Sequence, residues 1–302
     1  MVSIKNCGLM LEPQEGMPIE EIVDWARYAE RSGYGYMFRS DHLLPIDGRK
    51  DQDSPEAWVS LGILAAKTKN IKFGPLVTPI GYRNPALLAR MACNVQNYSH
   101  GRLMLGVGAG WYADEYRAFG YEFPKFPVRF EQFIEALDII KPLTEGKPVD
   151  FQGKHFKVNA RCYPKNKIHL IVGGRHVSII PAVEKYADEW NIADATIPET
   201  KKLLQKLGGG RKIEVSRMIP FYIAENQRKL EKKLKQKSIF SQVFGTPLTA
   251  DLLRERGVLC GTVDEFTSQV KDLSKAGIKK FYFQILNPQD KEMVSLLTST
   301  LR

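Results

Sequence analysis

Cysteine is scarce: Cys7, Cys93, Cys162 and Cys260 are the only four in 302 residues, and none forms a C-x-x-C pair. That usage suggests neither a disulfide framework nor a zinc site. Long apolar runs are missing as well. No stretch reaches the roughly 18 residues of a membrane span, and the N-terminus lacks the basic-then-apolar plan of a signal peptide. A cytoplasmic protein without a membrane partner is the expectation. The chain also has no G-x-S-x-G elbow, no P-loop and no H-E-x-x-H pair. Lys5 and Lys72 stand at strand starts, so no Schiff-base lysine is evident at a strand's C-terminal end.

Acids are outnumbered. The 34 Asp and Glu face 44 Lys and Arg, for a net charge of +10. Much of the excess lies in Lys201–Lys212 and Arg228–Lys237, where leucines recur at helical spacing beneath the charge. Such blocks read as solvated helix faces. No aromatic-rich or helix-turn-helix signature accompanies them, so nucleic acid is not expected as a partner. Long-range attraction of an anionic cofactor or substrate is another use for such charge.

What is present is an ordinary globular composition, 43% hydrophobic and 26% charged, arranged in a regular alternation. Strands are expected at Ile4–Leu11, Tyr34–Phe38, Ile71–Thr78, Leu103–Val107, Ile168–Val172, Glu189–Ile192, Glu214–Ala224 and Lys279–Leu286. Between them fall amphipathic stretches with start and stop signals. Pro18–Ser32 ends at Gly33, and Ser54 with Pro55 opens a helix to about Thr68. Others follow at Pro85–Tyr98, Arg129–Leu143 and His176–Tyr186, and a Thr262/Glu265 capping box starts one that runs to Ala276. Val149–Val158 reads as a small hairpin, and 226–259 as an irregular excursion above a barrel loop. Strand–helix alternation of this kind predicts an α/β fold, a single (β/α)8 TIM barrel with loop insertions spanning 1–302.

In such a barrel the site is built at the C-terminal ends of the strands. That rule selects Asp41 and His42, the segment Pro75–Thr78, the glycine stretch Gly106–Trp111 with Asp114, and Gly173–Arg175. His42 is the acid–base candidate, because an imidazole titrates near neutral pH. Three roles are open to Asp41: orienting His42, binding a heterocycle edge, or capping the next segment. Gly106, Gly108 and Gly110 alternate at the end of a strand, where backbone N–H groups can approach a flat or anionic ligand, or where a strand simply bends. Trp111 offers a ring wall or a seal for the barrel mouth. Gly173 and Gly174 stand between strand and helix, with N–H groups and a helix dipole suited to phosphate. Arg175 either pairs with that phosphate or is a surface arginine. His100, His155, His169 and His176 show no ligand spacing and read as structural; no metal is expected.

Ordered blocks along the first two thirds of the chain resemble the luciferase-like monooxygenase superfamily, and within it the branch that uses the deazaflavin coenzyme F-420. They are S-D-H-L (Ser40–Leu43), P-E-A-W (Pro55–Trp58), L-A-A-K-T (Leu64–Thr68), Y-R-N-P-A-L-L-A (Tyr82–Ala89) and S-H-G-R-L-M-L-G-V-G-A-G-W (Ser99–Trp111). F-Q-G-K-H-F (Phe151–Phe156), I-V-G-G-R (Ile171–Arg175) and Y-A-D-E-W-N (Tyr186–Asn191) follow in order. The resemblance implies a bacterial-luciferase-like barrel, a cytoplasmic oxidoreductase and a small-molecule substrate. By position, Asp41 would meet the cofactor ring, and His42 would be the acid or base. Pro75, Leu76 and Val77 would form a strand bulge, often with a cis peptide, behind the ring, while Gly173 and Gly174 would bind the cofactor phosphate. A homodimer is the usual state in that family. The alternative on the same barrel is an FMN-dependent monooxygenase fed by a separate flavin reductase; a flavin-binding protein without turnover is a reading of another class. One departure stands out. Sugar-phosphate dehydrogenases of this branch carry a glutamate where this chain has Trp111.

Overall fold

The computed structural model describes residues 2–46, 52, 54–236 and 248–302. Strands β1 (Cys7–Leu11), β2 (Tyr36–Arg39) and β3 (Lys72–Pro75) come first, and β4 (Thr78–Pro79) resumes β3 past a bulge. Then follow β5 (Met104–Gly108), the antiparallel hairpin β6 (Val149–Gln152) and β7 (Lys157–Ala160), β8 (His169–Gly173) and β9 (Glu189–Ile192). The last are β10 (Glu214–Ala224), β11 (Leu259–Thr262) and β12 (Lys280–Ile285). Neighbours run β3-β2-β1-β12-β10-β9-β8-β5-β4, and β11 extends the sheet from β10. Because β3 and β4 are halves of one strand, and Phe73 bridges Leu103, this order closes on itself. The expected eight-stranded barrel is the observed one.

Strand parity divides the apolar residues between two cores. Met10, Tyr36, Phe38, Leu76, Met104, Ile171 and Tyr282 form a cluster inside the barrel. Their strand neighbours, such as Leu9, Leu11, Met37, Leu105 and Phe283, pack outward in the core shared with the helices. Those are α1 (Ile19–Ser32), α2 (Ala57–Lys67), α3 (Pro85–Tyr98), α4 (Ala113–Ala118), α5 (Phe126–Thr144), α6 (Ile180–Tyr186), α7 (Ile197–Leu204), α8 (Gln227–Leu234), α9 (Ala250–Glu255), α10 (Val263–Ala276) and α11 (Lys291–Leu301).

Three local expectations change. Helix α2 is capped by Glu56, whose carboxylate accepts the Val59 N–H at 2.7 Å. Ser54 and Pro55 stay outside it, because the Pro55 carbonyl is held by Arg39 at 2.9 Å. The described parts of 226–259 are regular, with α8 and α9 anchored by buried Leu230, Leu234 and Leu253; 237–247 lies outside the described residues. The helix expected in the basic block Lys201–Lys212 lies earlier: α7 opens at Ile197 on a Thr196/Glu199 capping box, with Pro198 in its first turn, and ends at Leu204.

A buried polar network lies at the N-terminal end of the barrel. Glu189, 0% exposed, accepts Lys280 Nζ at 2.7 Å and the Tyr282 hydroxyl at 2.7 Å, and its other contact is His169 Nε2 at 3.1 Å. Lys280 also reaches Glu214 at 2.6 Å. Burial alone would raise the Glu189 pKa, but hydrogen bonding from His169 and the charge of Lys280 bring it down to about 2. His169, Glu189 and Glu214 have the spacing of a metal site. The Lys280 ammonium bridges both carboxylates and supplies the cation, so the cluster is structural.

Candidate active site

At the opposite end, β2 delivers Asp41 and His42 to the rim. His42 Nδ1 lies 3.0 and 3.2 Å from the two carboxylate oxygens of Glu115. That residue is 73 positions later, on α4, and 1% exposed. The Leu43 N–H donates to the same carboxylate at 2.9 Å and fixes it. Trp111 and Tyr112 stand edge-on to the imidazole, at centroid distances of 5.7 and 6.1 Å. Aromatic contacts of this kind contribute about 0.5–1.5 kcal/mol, against about 1.5–3 kcal/mol for a hydrogen bond to a charged group. Glu115 therefore sets the ring's orientation and the aromatics wall it in. Nε2 has no protein partner among the described residues. Burial by itself lowers the His42 pKa, yet the hydrogen bond and charge of Glu115, with Glu12 and Asp41 behind it, carry the net shift upward.

Asp41 does not orient His42. It is 1% exposed, accepting Thr78 Oγ1 at 2.8 Å and Arg83 at 2.7 Å; Arg83 in turn pairs with Glu56. Trp58 Nε1 donates to Thr78 at 3.2 Å and completes a braced wall beneath the rim.

The Leu76–Val77 peptide is cis, and the bulge Pro75–Val77 turns Val77 toward two glycines. A Cβ on Gly108 or on Gly173 would lie 2.7 Å from a Val77 methyl, so both positions require glycine for this close approach. Gly110 has φ +78° and faces the Tyr116 hydroxyl. Val77, Gly108 and Gly173 thus pack into one closely fitted patch, the Val77 cradle, at the strand-end rim, where His42 stands beside Trp111, itself 62% exposed. Gly173–Arg175 is less open than expected. The Gly174 N–H donates to the Asn191 carbonyl at 3.1 Å, its own carbonyl accepts Trp190 Nε1 at 2.8 Å, and Arg175 donates to the Asp194 carbonyl. His176 caps the following turn through the Ser178 N–H at 3.3 Å. Strand pairing and the cap have taken donors that the sequence leaves free.

Two acids escaped the sequence reading. Glu115 stood in the helix after the glycines with nothing to link it to His42. Asp114 beside it pairs with Arg117 at the surface instead. Glu12 directly follows β1, so the strand-end rule alone could have found it. It is buried and accepts Gln14 Nε2 at 2.8 Å and Gln284 Nε2, and Ser40 donates to Gln14 at 2.6 Å.

The family model for luciferase-like monooxygenases matches residues 2–281. The chain belongs to this family. It is 32% identical over 198 residues to an F420-dependent glucose-6-phosphate dehydrogenase of Microbacterium testaceum, a match that covers 63% of this chain and 58% of that one. A Nocardia farcinica protein of the same description is 28% identical over 93% of this chain and 92% of its own. Among solved structures, an F420-dependent secondary alcohol dehydrogenase in complex with an F420-acetone adduct superposes with TM-score 0.84 at 21% identity, each chain fully covered. That likeness concerns the fold. No helix among the described residues is long and apolar enough to cross a membrane.

Proposed function

We propose that this family member is an oxidoreductase that moves a hydride between coenzyme F-420 and a small organic substrate. The observation that carries the reading is the His42–Glu115 pair at the edge of the Val77 cradle. The cradle would back a flat ring: Gly108 and Gly173 let Val77 seat against the strands, Val77 with Pro75 and Leu76 would support the ring, and Gly110 and Trp111 would border it. When bound, the deazaflavin supplies the hydride chemistry. This chain's own residues supply position and a proton. Asp41 stiffens the wall through Thr78 and Arg83, and Gly173, Gly174 and Arg175 would border the cofactor's phosphate end. Glu115 holds Nδ1, so that His42 carries the reacting proton on Nε2. From there it protonates a substrate oxygen in reduction, or accepts the proton back in oxidation. Trp111, at the position of the sugar-phosphate enzymes' glutamate, leaves that proton to His42 and favours a substrate other than a sugar phosphate. The family resemblance further supports a cytoplasmic homodimer.

Equilibrium titration of the purified protein tests the cofactor. F-420 is expected to bind at least about tenfold tighter than FMN, about 1.4 kcal/mol. The opposite preference would replace this reading with an FMN-dependent monooxygenase served by a separate reductase. Binding of neither would end the redox assignment.

The Glu115 partnership predicts a pH effect. Reduction requires His42 protonated, so the rate falls as pH rises through its elevated pKa. Glu115→Gln removes the charge that elevates it, and the falling limb moves to lower pH by about one unit or more. An unmoved limb in kcat against pH would show that Glu115 does not set the protonation of His42.

A further inference from the structure

A cavity along α7 holds charge that the Val77 cradle does not use. This cleft of about 550 Å³ is lined by Arg175, His176, Glu199, Lys202 and Lys206, among others. Three of these are cations and one is a carboxylate. The carboxylate is already engaged, since Glu199 accepts the Thr196 N–H at 2.7 Å and its hydroxyl at 2.9 Å. Among the described residues neither lysine has an ion-pair partner, and Arg175 bonds only a backbone carbonyl. A further cation lies behind the wall. Arg217 on β10 is 1% exposed, and its Nη2 donates to the carbonyls of Ala195, which lines the cleft, and Gly257. Its Nε and Nη1 have no partner among the described residues. Asp194 and Glu199 both lie close enough to Arg175 and Arg217 to interact with them, so four cations face two carboxylates and the cleft keeps a net positive charge, concentrated on Lys202 and Lys206.

Its position gives it a use. Arg175 directly follows Gly173 and Gly174, so the cleft starts where the cradle ends. The Gly174 N–H, one expected phosphate donor, is taken by Asn191. Anion recognition at this end of the site falls to side chains. FMN ends at its phosphate, whereas F-420 continues from its phosphate into a chain of γ-linked glutamates.

We propose that the α7 cleft binds the carboxylate-bearing tail of the cofactor, with Lys202 and Lys206 as its principal contacts and Arg175 at the phosphate junction. The proposal rests on the F-420 reading above and deepens it: the tail, as well as the ring, distinguishes the two flavin classes. It also gives part of the basic block Lys201–Lys212 a ligand, where the sequence showed only a solvated face.

The test compares two probes by fluorescence titration: F-420 with its glutamyl tail, and the same deazaflavin with its ribityl chain and phosphate but no glutamates. The tailed form is expected to bind the wild-type protein about tenfold tighter at low salt. That ratio is expected to shrink toward one at about 0.5 M salt. Lys202→Glu/Lys206→Glu should abolish the preference while leaving affinity for the tail-less ring unchanged. The milder Lys202→Gln/Lys206→Gln should fall between, which separates lost attraction from added repulsion. Matching thermal midpoints would certify that the variants are folded. Equal affinity of the wild type for both probes, or a preference that survives charge reversal, overturns the tail site alone. If neither probe binds, the cofactor reading falls and the tail site falls with it.

Discussion

His42→Ala is expected to lower kcat by about 10²–10⁴-fold, the usual contribution of a positioned acid or base, while cofactor affinity stays close to wild type. The expectation follows from how the ring is held. Its Nδ1 is committed to Glu115, a buried carboxylate that Leu43 also anchors, and the partnerless Nε2 is the atom left for a reacting proton. Removing the imidazole removes that proton and leaves the Val77–Gly108–Gly173 cradle in place. Titration and turnover with F-420 and a carbonyl substrate check the two halves separately. Retained turnover would transfer the proton to another group, with buried Glu12 at the end of β1 an alternative. Lost cofactor binding would make His42 part of the cradle instead.

Lys280→Met is expected to cost about 3–5 kcal/mol of folding stability, because it leaves Glu189 buried without its main countercharge. The double change Glu189→Gln/Lys280→Met should cost less than the single one, since no charge is then stranded. The pH dependence has a definite sign. In the wild type Glu189 is held down to about 2, so its contribution is complete above the ordinary carboxylate range and is lost as pH falls toward that value. In the single variant the carboxyl can protonate more easily, so the gap to wild type should narrow between about pH 7 and about pH 3. Denaturant unfolding at the two pH values measures it. Cofactor binding by the folded variant should persist, because the network lies at the barrel end opposite His42. A gap that does not change with pH would mean that Lys280 acts by packing rather than by charge.

The barrel was legible because its signals are local. Each strand is a short apolar run ended by a turn residue. Gly33 stops α1 in a left-handed conformation, and Thr262 with Glu265 caps α10, all within a few residues of chain. In α8 the leucines spaced beneath the lysines marked a helix face in the same local way, and Leu230 and Leu234 are the residues that anchor it. The strand-end rule brings His42 and the glycines to the rim for the same reason: each lies at or just past the end of an apolar strand. It did not find Glu115, because nothing in the sequence links it to a histidine 73 residues away.

Local pattern along the chain set the alternation of elements, hence the barrel, and which residues arrive at its C-terminal rim. Their partners were settled by the packing of distant strands and helices. Asp41 went to Thr78 and Arg83 rather than to His42, Gly174 spent its N–H on Asn191, and Lys202 and Lys206 came to line a cleft with Arg175. Periodicity and capping act over a few residues, so they can be read along the chain. Hydrogen bonds and fields between strand ends depend on barrel closure, which sets distances that sequence separation does not contain.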